Sequence, residues 1–264
     1  MTNDISFSRG PARRPLPAAS HDALLQWSTG LVTTTRSLYT GWLVERGRNE
    51  VLDTAMQRAG FDTVIIKHGN GNIVTYWALE QATVFVLADG VQTIAEMGHT
   101  NERFGIAFGW RILPDGRRQS VLKCRVLIRE LLEVGYSAPL TLSIKGTITS
   151  DLINGLTRHY EVLDAIDALR SEQGKAPLNP PFYACSLAIV PGEEVMRGSA
   201  QQKAIIPPLV AIPEQIRRDY LVEHYIRTEW VPIIERLMDA TIHWSVTTSA
   251  QIAEGQAHEH YQEA

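Results

Sequence analysis

From Arg103 to Ile112 the even positions are apolar, namely Phe104, Ile106, Phe108, Trp110 and Ile112, while the odd positions carry Arg103, Gly105, Ala107, Gly109 and Arg111. Pro114, Asp115 and Gly116 then supply a turn. Beyond it the even positions Leu122, Cys124, Val126 and Ile128 are apolar again, interleaved with Lys123, Arg125 and Arg129. Successive side chains of a strand point to opposite faces, so the pattern predicts a long β-hairpin with one apolar and one basic face. Phe104, Phe108 and Trp110 fall on the apolar side and are expected in the core.

Other segments repeat the theme. Val51, Leu52, Ala55, Met56 and Ala59 are spaced as on a helix, with Gly60 at its end. Thr63–Lys67 and Ile73–Trp77 flank an Asn70-Gly71 turn and predict a hairpin. Strands are expected over Thr83–Leu87, Pro139–Lys145, Phe182–Val190 and Thr241–Thr247. A long amphipathic helix is expected from Leu152 to Leu169 with Ser150 as its N-cap. A second long helical region spans about Glu214 to Met238, with Pro232 kinking or splitting it, and the proline-rich stretch Ile205–Pro213 is expected to be extended. Hairpins followed by long helices define an α+β fold with an antiparallel sheet, open to closure into a partly open, oligonucleotide-binding-like barrel. Residues 1–20 read as a flexible basic arm, 21–248 as one α+β domain and 249–264 as a flexible acidic tail.

Composition narrows the functional classes. At 264 residues and 44% hydrophobic content the chain can bury a full core without disulfides or metals. No apolar run approaches the ~20 residues of a membrane helix, so no membrane contact and a cytoplasmic location are expected. Cys124 and Cys185 are far apart and fit neither a zinc ribbon nor a disulfide scaffold.

Net charge is −4, yet residues 101–150 hold eight basic side chains against four acidic ones. That surplus makes the basic face of the hairpin the one constellation with chemical content. Arg103, Arg111, Lys123, Arg125 and Arg129, with Arg117 and Arg118 at the tip, form a cationic stripe around a floor of Gly105, Ala107 and Gly109. Such a surface suits the phosphates of a nucleic acid. Its structural alternatives are a solvated outer face, cations paired with acids of the helices, or a floor that receives a helix. Exposed aromatics for base stacking are not evident there. Trp77, Tyr76, Trp42 and Tyr39 are the remaining aromatic candidates.

Catalytic motifs are absent: there is no phosphate-binding G-x-x-x-x-G-K-[ST], no G-x-S-x-G and no H-E-x-x-H. Gly69-Asn70-Gly71 reads as a hairpin turn. His159 and His224 lie on expected helices without a second ligand at helical spacing, and Asp219, Glu223 and Arg227 read as a solvated helical ladder. No catalytic residue, metal or cofactor is expected.

Trp27, Tyr39-x-x-Trp42, Thr75-Tyr76-Trp77, the strand ending Ile128-Arg129-Glu130 and Pro139–Thr147 together resemble an uncharacterised bacterial family met on plasmids and phages, over about residues 25–190. The resemblance implies handling of single-stranded DNA through an oligonucleotide-binding-like barrel. A mobile acidic tail is common in bacterial single-strand-binding proteins. Residues 249–264 carry Glu254, Glu259 and Glu263 and no base, but end in Gln262-Glu263-Ala264 without an apolar anchor.

The leading expectation is a non-catalytic protein that binds nucleic acid, single-stranded DNA first among ligands, through the basic hairpin face. The alternative is a protein-binding scaffold or homo-oligomeric assembly protein without nucleic-acid contact.

Overall fold

The computed structural model describes residues 22–32, 38–91, 105–113, 115–197 and 203–253. The expected arm, Arg103, Phe104 and the tail beyond 253 lie outside the described residues. Within them the chain forms β1 (Leu24–Val32), β2 (Leu38–Glu45), α1 (Glu50–Arg58), β3 (Asp62–Lys67), β4 (Ile73–Leu79), β5 (Ala82–Val86), β6 (Ile106–Ile112) and β7 (Arg118–Ile128). There follow α2 (Arg129–Glu133), β8 (Leu140–Lys145), α3 (Thr149–Glu172), β9 (Leu187–Pro191), β10 (Val195–Arg197), β11 (Lys203–Ile205), β12 (Pro208–Val210), α4 (Arg218–His224) and α5 (Val231–Ala253).

The fold is α+β. Ten strands make one mostly antiparallel sheet in the order β12-β9-β5-β7-β8-β1-β2-β4-β3, with β6 added beside β7. The β1–β8 pair is parallel, and β10 and β11 pair separately. The sheet curls without closing into a barrel. Its curvature brings β2 towards β9, where the buried Trp42 indole N–H donates to the Ile189 carbonyl at 3.1 Å.

Strand β7 organises the sheet. Along one edge β8 pairs with Val121–Val126. Along the other, β6 pairs with Arg118–Cys124 and β5 takes over at Val126–Ile128. The last β6–β7 pairs, Trp110–Ser120, Arg111–Gln119 and Ile112–Arg118, therefore have no third strand and overhang the sheet.

Both faces of the central strands are covered, as the apolar run Val84–Ala88 requires. On one face Val84, Val86, Leu122, Cys124, Val126 and Ile128 join the main core with residues from α1, α2 and α3. On the other, Phe85, Leu87 and Leu127 pack against Trp230, Val231, Ile234 and Met238 at the start of α5.

The local rules hold where the signals are strong. Asn49 caps α1, its side-chain oxygen accepting from the Val51 and Leu52 amides at 3.1 Å. The Asn70-Gly71 turn joins β3 to β4. Elsewhere the structure corrects the expectation. Helix α3 starts at Thr149, and Ser150 donates to the Thr147 carbonyl instead of capping. Phe182–Ala184 is a 3-10 turn ahead of β9. The helix expected over 214–238 is interrupted at residues 225–230, not at Pro232, which sits in the first turn of α5.

The largest correction is Thr241–Thr247, which is helical rather than a strand, and α5 continues through 249–253, the expected start of the flexible tail. Thr241, Ile242, Val246, Thr247 and Thr248 are β-branched, each costing roughly 0.5 kcal/mol in a helix relative to alanine. Packing of α5 along β6 overrides that preference.

Helix α3 crosses β12 so closely that a Cβ at Gly155 would run into Val210 Cγ2 and sit 2.8 Å from its Cβ. Gly155→Ala is therefore expected to lower stability by about 1–3 kcal/mol from overpacking, outweighing the ~1 kcal/mol gain in helix propensity. Urea denaturation checks this: the midpoint falls, whereas a rise contradicts the close approach.

Candidate nucleic-acid interface

Of the seven cations expected on one face, the six that are described are separated by the fold. Lys123 and Arg125 project from the odd face of β7 and are only 8% and 5% exposed, because α5 lies across that face. Arg125 Nε donates to Asp22 Oδ2 at 2.7 Å, and its guanidinium lies 5.1 Å from the centre of the Trp244 ring. The small floor receives the helix: Ala107 and Val121 pack with Ile252 and Trp244. Gly105 has φ +90°, and a Cβ there would meet the Leu87 carbonyl at 2.8 Å and Thr241 Cγ2 at 3.5 Å. Over Lys123 and Arg125 the stripe is thus covered by a helix, the alternative that its small floor left open.

Arg129 lies at the base of β7, pairing with Glu133 at 3.3 Å and donating to the Glu223 carbonyl at 2.9 Å. The expected Asp219–Glu223–Arg227 ladder does not form. Arg227 falls beyond α4, where its guanidinium reaches Glu133 at 2.8 Å and stacks 4.6 Å from the Trp230 ring centre.

What remains open is the overhang. Arg118 is exposed at the end of β7, directly opposite Ile112. Arg117 is exposed in the turn, held by Asp115 at 2.6 Å. Hydrogen bonds from the Arg117 backbone and side chain keep the Asp115 carboxyl below its ordinary pKa. Arg111 donates to Gln119 at 2.6 Å on the ribbon's other face.

The apolar row of β6 runs out of the core along the same overhang. Ile106 is fully buried, Phe108 half-buried, Trp110 49% exposed and Ile112 72% exposed. Phe108 and Trp110 meet edge to face, ring centres 6.0 Å apart. Trp110 was expected in the core and instead faces solvent, sharing its side of the ribbon with Arg118. The clue in the sequence was length: the strand expected at Pro139–Lys145 is too short to accompany both hairpin arms to the turn.

The other aromatic candidates are structural. Trp77 donates to Asp53 Oδ1 at 2.6 Å, the Tyr76 hydroxyl meets His68 Nε2 at 2.9 Å, and the Tyr39 hydroxyl donates to the Trp42 carbonyl at 3.2 Å. All four lie away from open surface, with Trp42, Tyr76 and Trp77 buried and Tyr39 half-buried.

Burial also governs the groups with catalytic character. Ser186 Oγ lies 3.1 Å from His224 Nδ1, but Ser186 is fully enclosed and offers a substrate no approach. Burial pushes the Cys124 and Cys185 thiols up to about 12. Among the described residues no cluster of His, Cys, Asp or Glu could hold a metal ion, and no helix is long and apolar enough to cross a membrane. Comparison of the chain with protein-family models, curated proteins and solved structures finds no match.

Two outcomes are expected from these contacts. Removing one partner of the Arg125–Asp22 pair strands a buried charge, so Arg125→Met alone should cost about 3–5 kcal/mol, and adding Asp22→Leu should recover most of the loss. Additive losses in denaturant melts would contradict the pairing. His159 is buried and its Nε2 bonds the Phe182 carbonyl at 2.9 Å. Burial, with a smaller contribution from His224, lowers its pKa from 6.5 to about 4. The unfolded chain therefore binds a proton that the folded chain refuses between those values. Stability should be full above pH 6.5 and fall by up to ~3 kcal/mol as pH drops towards 4. His159→Gln should flatten that slope, and an unchanged slope would contradict the assignment.

Proposed function

We propose that the protein is a non-catalytic, cytoplasmic nucleic-acid-binding protein that grips single strands with the overhanging end of the β6–β7 hairpin. In this reading the curled antiparallel sheet is an oligonucleotide-binding-like scaffold, as the resemblance of residues 25–190 implies. Trp110 and Phe108 offer ring faces and edges for stacking. Arg118, Arg111 and Arg117 neutralise phosphates on either side of the ribbon. Arg129 contributes at most at the base.

The observation that carries the reading is Trp110, 49% exposed on a two-stranded ribbon and on the same side as Arg118. Trp110 packs edge to face on Phe108 and still leaves about half of its surface in water beside cations. Ring and cations together supply the two elements that sequence-tolerant single-strand binding combines, a stacking platform and positive charge. Every base has a π-face, so such a site needs no groove and no base-specific donors.

Fluorescence anisotropy of a labelled oligothymidylate tests the proposal. With about three phosphates neutralised, log K should fall against log salt with a slope near −2. Trp110→Ala should weaken binding by ~1–3 kcal/mol, and Arg118→Glu should lower both affinity and slope. Arg129→Gln should change little. No binding at low salt, or equal binding by Trp110→Ala and the unaltered protein, would overturn the proposal. Salt-insensitive self-association in light scattering, without oligonucleotide binding, would favour the scaffold reading.

A further inference from the structure

Helix α5 changes character along its length. Its first half sets Val231, Ile234 and Met238 into an apolar cluster with Phe85, Leu87, Leu127 and Tyr183. Residues 241–253 contain no Asp, Glu, Lys or Arg. Against the sheet they bury Thr241, Ser245, Thr248 and Ser249, with Ile252 and the half-buried Trp244 as the large apolar contacts. Thr241 Oγ1 and Ser249 Oγ are buried with no hydrogen-bond partner among the described residues. Hydroxyls, a glycine and alanine floor and two cations make a poorly cohesive interface, since desolvated polar groups offset much of what apolar burial contributes. The segment's β-branched and hydroxyl residues also favour the helix weakly, so it is helical only while docked.

We infer that residues 241–253 are a displaceable cover, and that beneath it Lys123, facing a phosphate, and Arg125, facing a base, form a second track reached by a nucleic-acid strand when the cover lifts. This rests on the reading of the hairpin tip as a nucleic-acid site, because the track begins there. Arg111 shares the odd face of the ribbon with Gly109, Ala107 and their partners Val121 and Lys123. Arg125 follows Lys123 one side-chain repeat along β7, roughly 6.8 Å further. A strand held at Arg111 therefore runs directly onto the covered face as the end of α5 retreats from Ala107 and Val121. Arg125 exchanges the Trp244 ring for a base, one π-face for another, and keeps Asp22. The apolar first half of α5 stays in place and supplies the hinge.

Hydrogen exchange and a reversible lock test this together. In the free protein, amides of 241–253 should exchange at least tenfold faster than those of 231–240. Adding oligothymidylate should speed 241–253 further while protecting 118–128. A disulfide between Ala107→Cys and Ile252→Cys should hold the cover down and weaken oligonucleotide binding about tenfold, reversed by reductant. The native thiols do not compete, being buried with pKa values pushed up to about 12. Ser245→Pro, which breaks only the distal half, should bind tighter than the unaltered protein. Uniform exchange along α5 with and without oligonucleotide, or equal binding by the oxidised and reduced lock with Trp110→Ala still weakened, would overturn the cover and leave the tip reading standing. No binding by any variant, Ser245→Pro included, would overturn both.

Discussion

Placing two cations on the outer face of the central strand dictates how the rest of that face is built. Arg125 cannot be left bare in the interior, where an unpaired charge costs several kcal/mol. It is held between Asp22, two residues ahead of β1, and the Trp244 ring on α5, so one guanidinium joins the approach to the N-terminal strand, the centre of the sheet and the C-terminal helix. A helix can lie there only if the neighbouring strand has almost no side chain, and Gly105 and Ala107 meet that condition. The outer face of β7 therefore passes from apolar at Leu127 to cationic at Arg125 and Lys123, and α5 changes from apolar to hydroxyl-rich in step.

The same strand decides where open surface remains. Because β8 stops at the Val121 pair while β6 and β7 continue, the hairpin leaves the sheet as a two-stranded ribbon. The apolar row that fills the core at Ile106 and Leu122 reaches water at Trp110 and Ile112, and cations gather there because the turn needs polar residues. Overhang, aromatic exposure and charge are consequences of one mismatch in strand length.

Much of the sheet was legible because its signals are local. The period of two through β6 and β7 and the Asn-Gly turn each follow from backbone geometry within a few residues. A helix on the small floor was legible only as an alternative, and that residues 241–253 supply it was not, for two physical reasons. The β-branched run 241–247 has the preferences of a strand and becomes helical only through contact with a sheet distant in sequence. The cover is also uncharged, so counting acids against bases along the chain could not single out residues 241–253 as what lies over Lys123 and Arg125. Asp22, which does pair with Arg125, is a single acid 103 residues away. The candidate site was half legible: its cations were found, but Trp110 was assigned to the core because alternation says which face a side chain shares and not how far that face stays covered.

The central claim is that a nucleic-acid strand meets the hairpin overhang through Trp110, and photocrosslinking reads that contact without depending on affinity. An iodouracil-substituted oligothymidylate, irradiated with the protein at low salt and digested, should yield its main adduct on the peptide carrying Trp110, with a lesser one at Phe108. Adducts confined to other aromatics such as Tyr160, or none under conditions of saturated binding, would contradict the account.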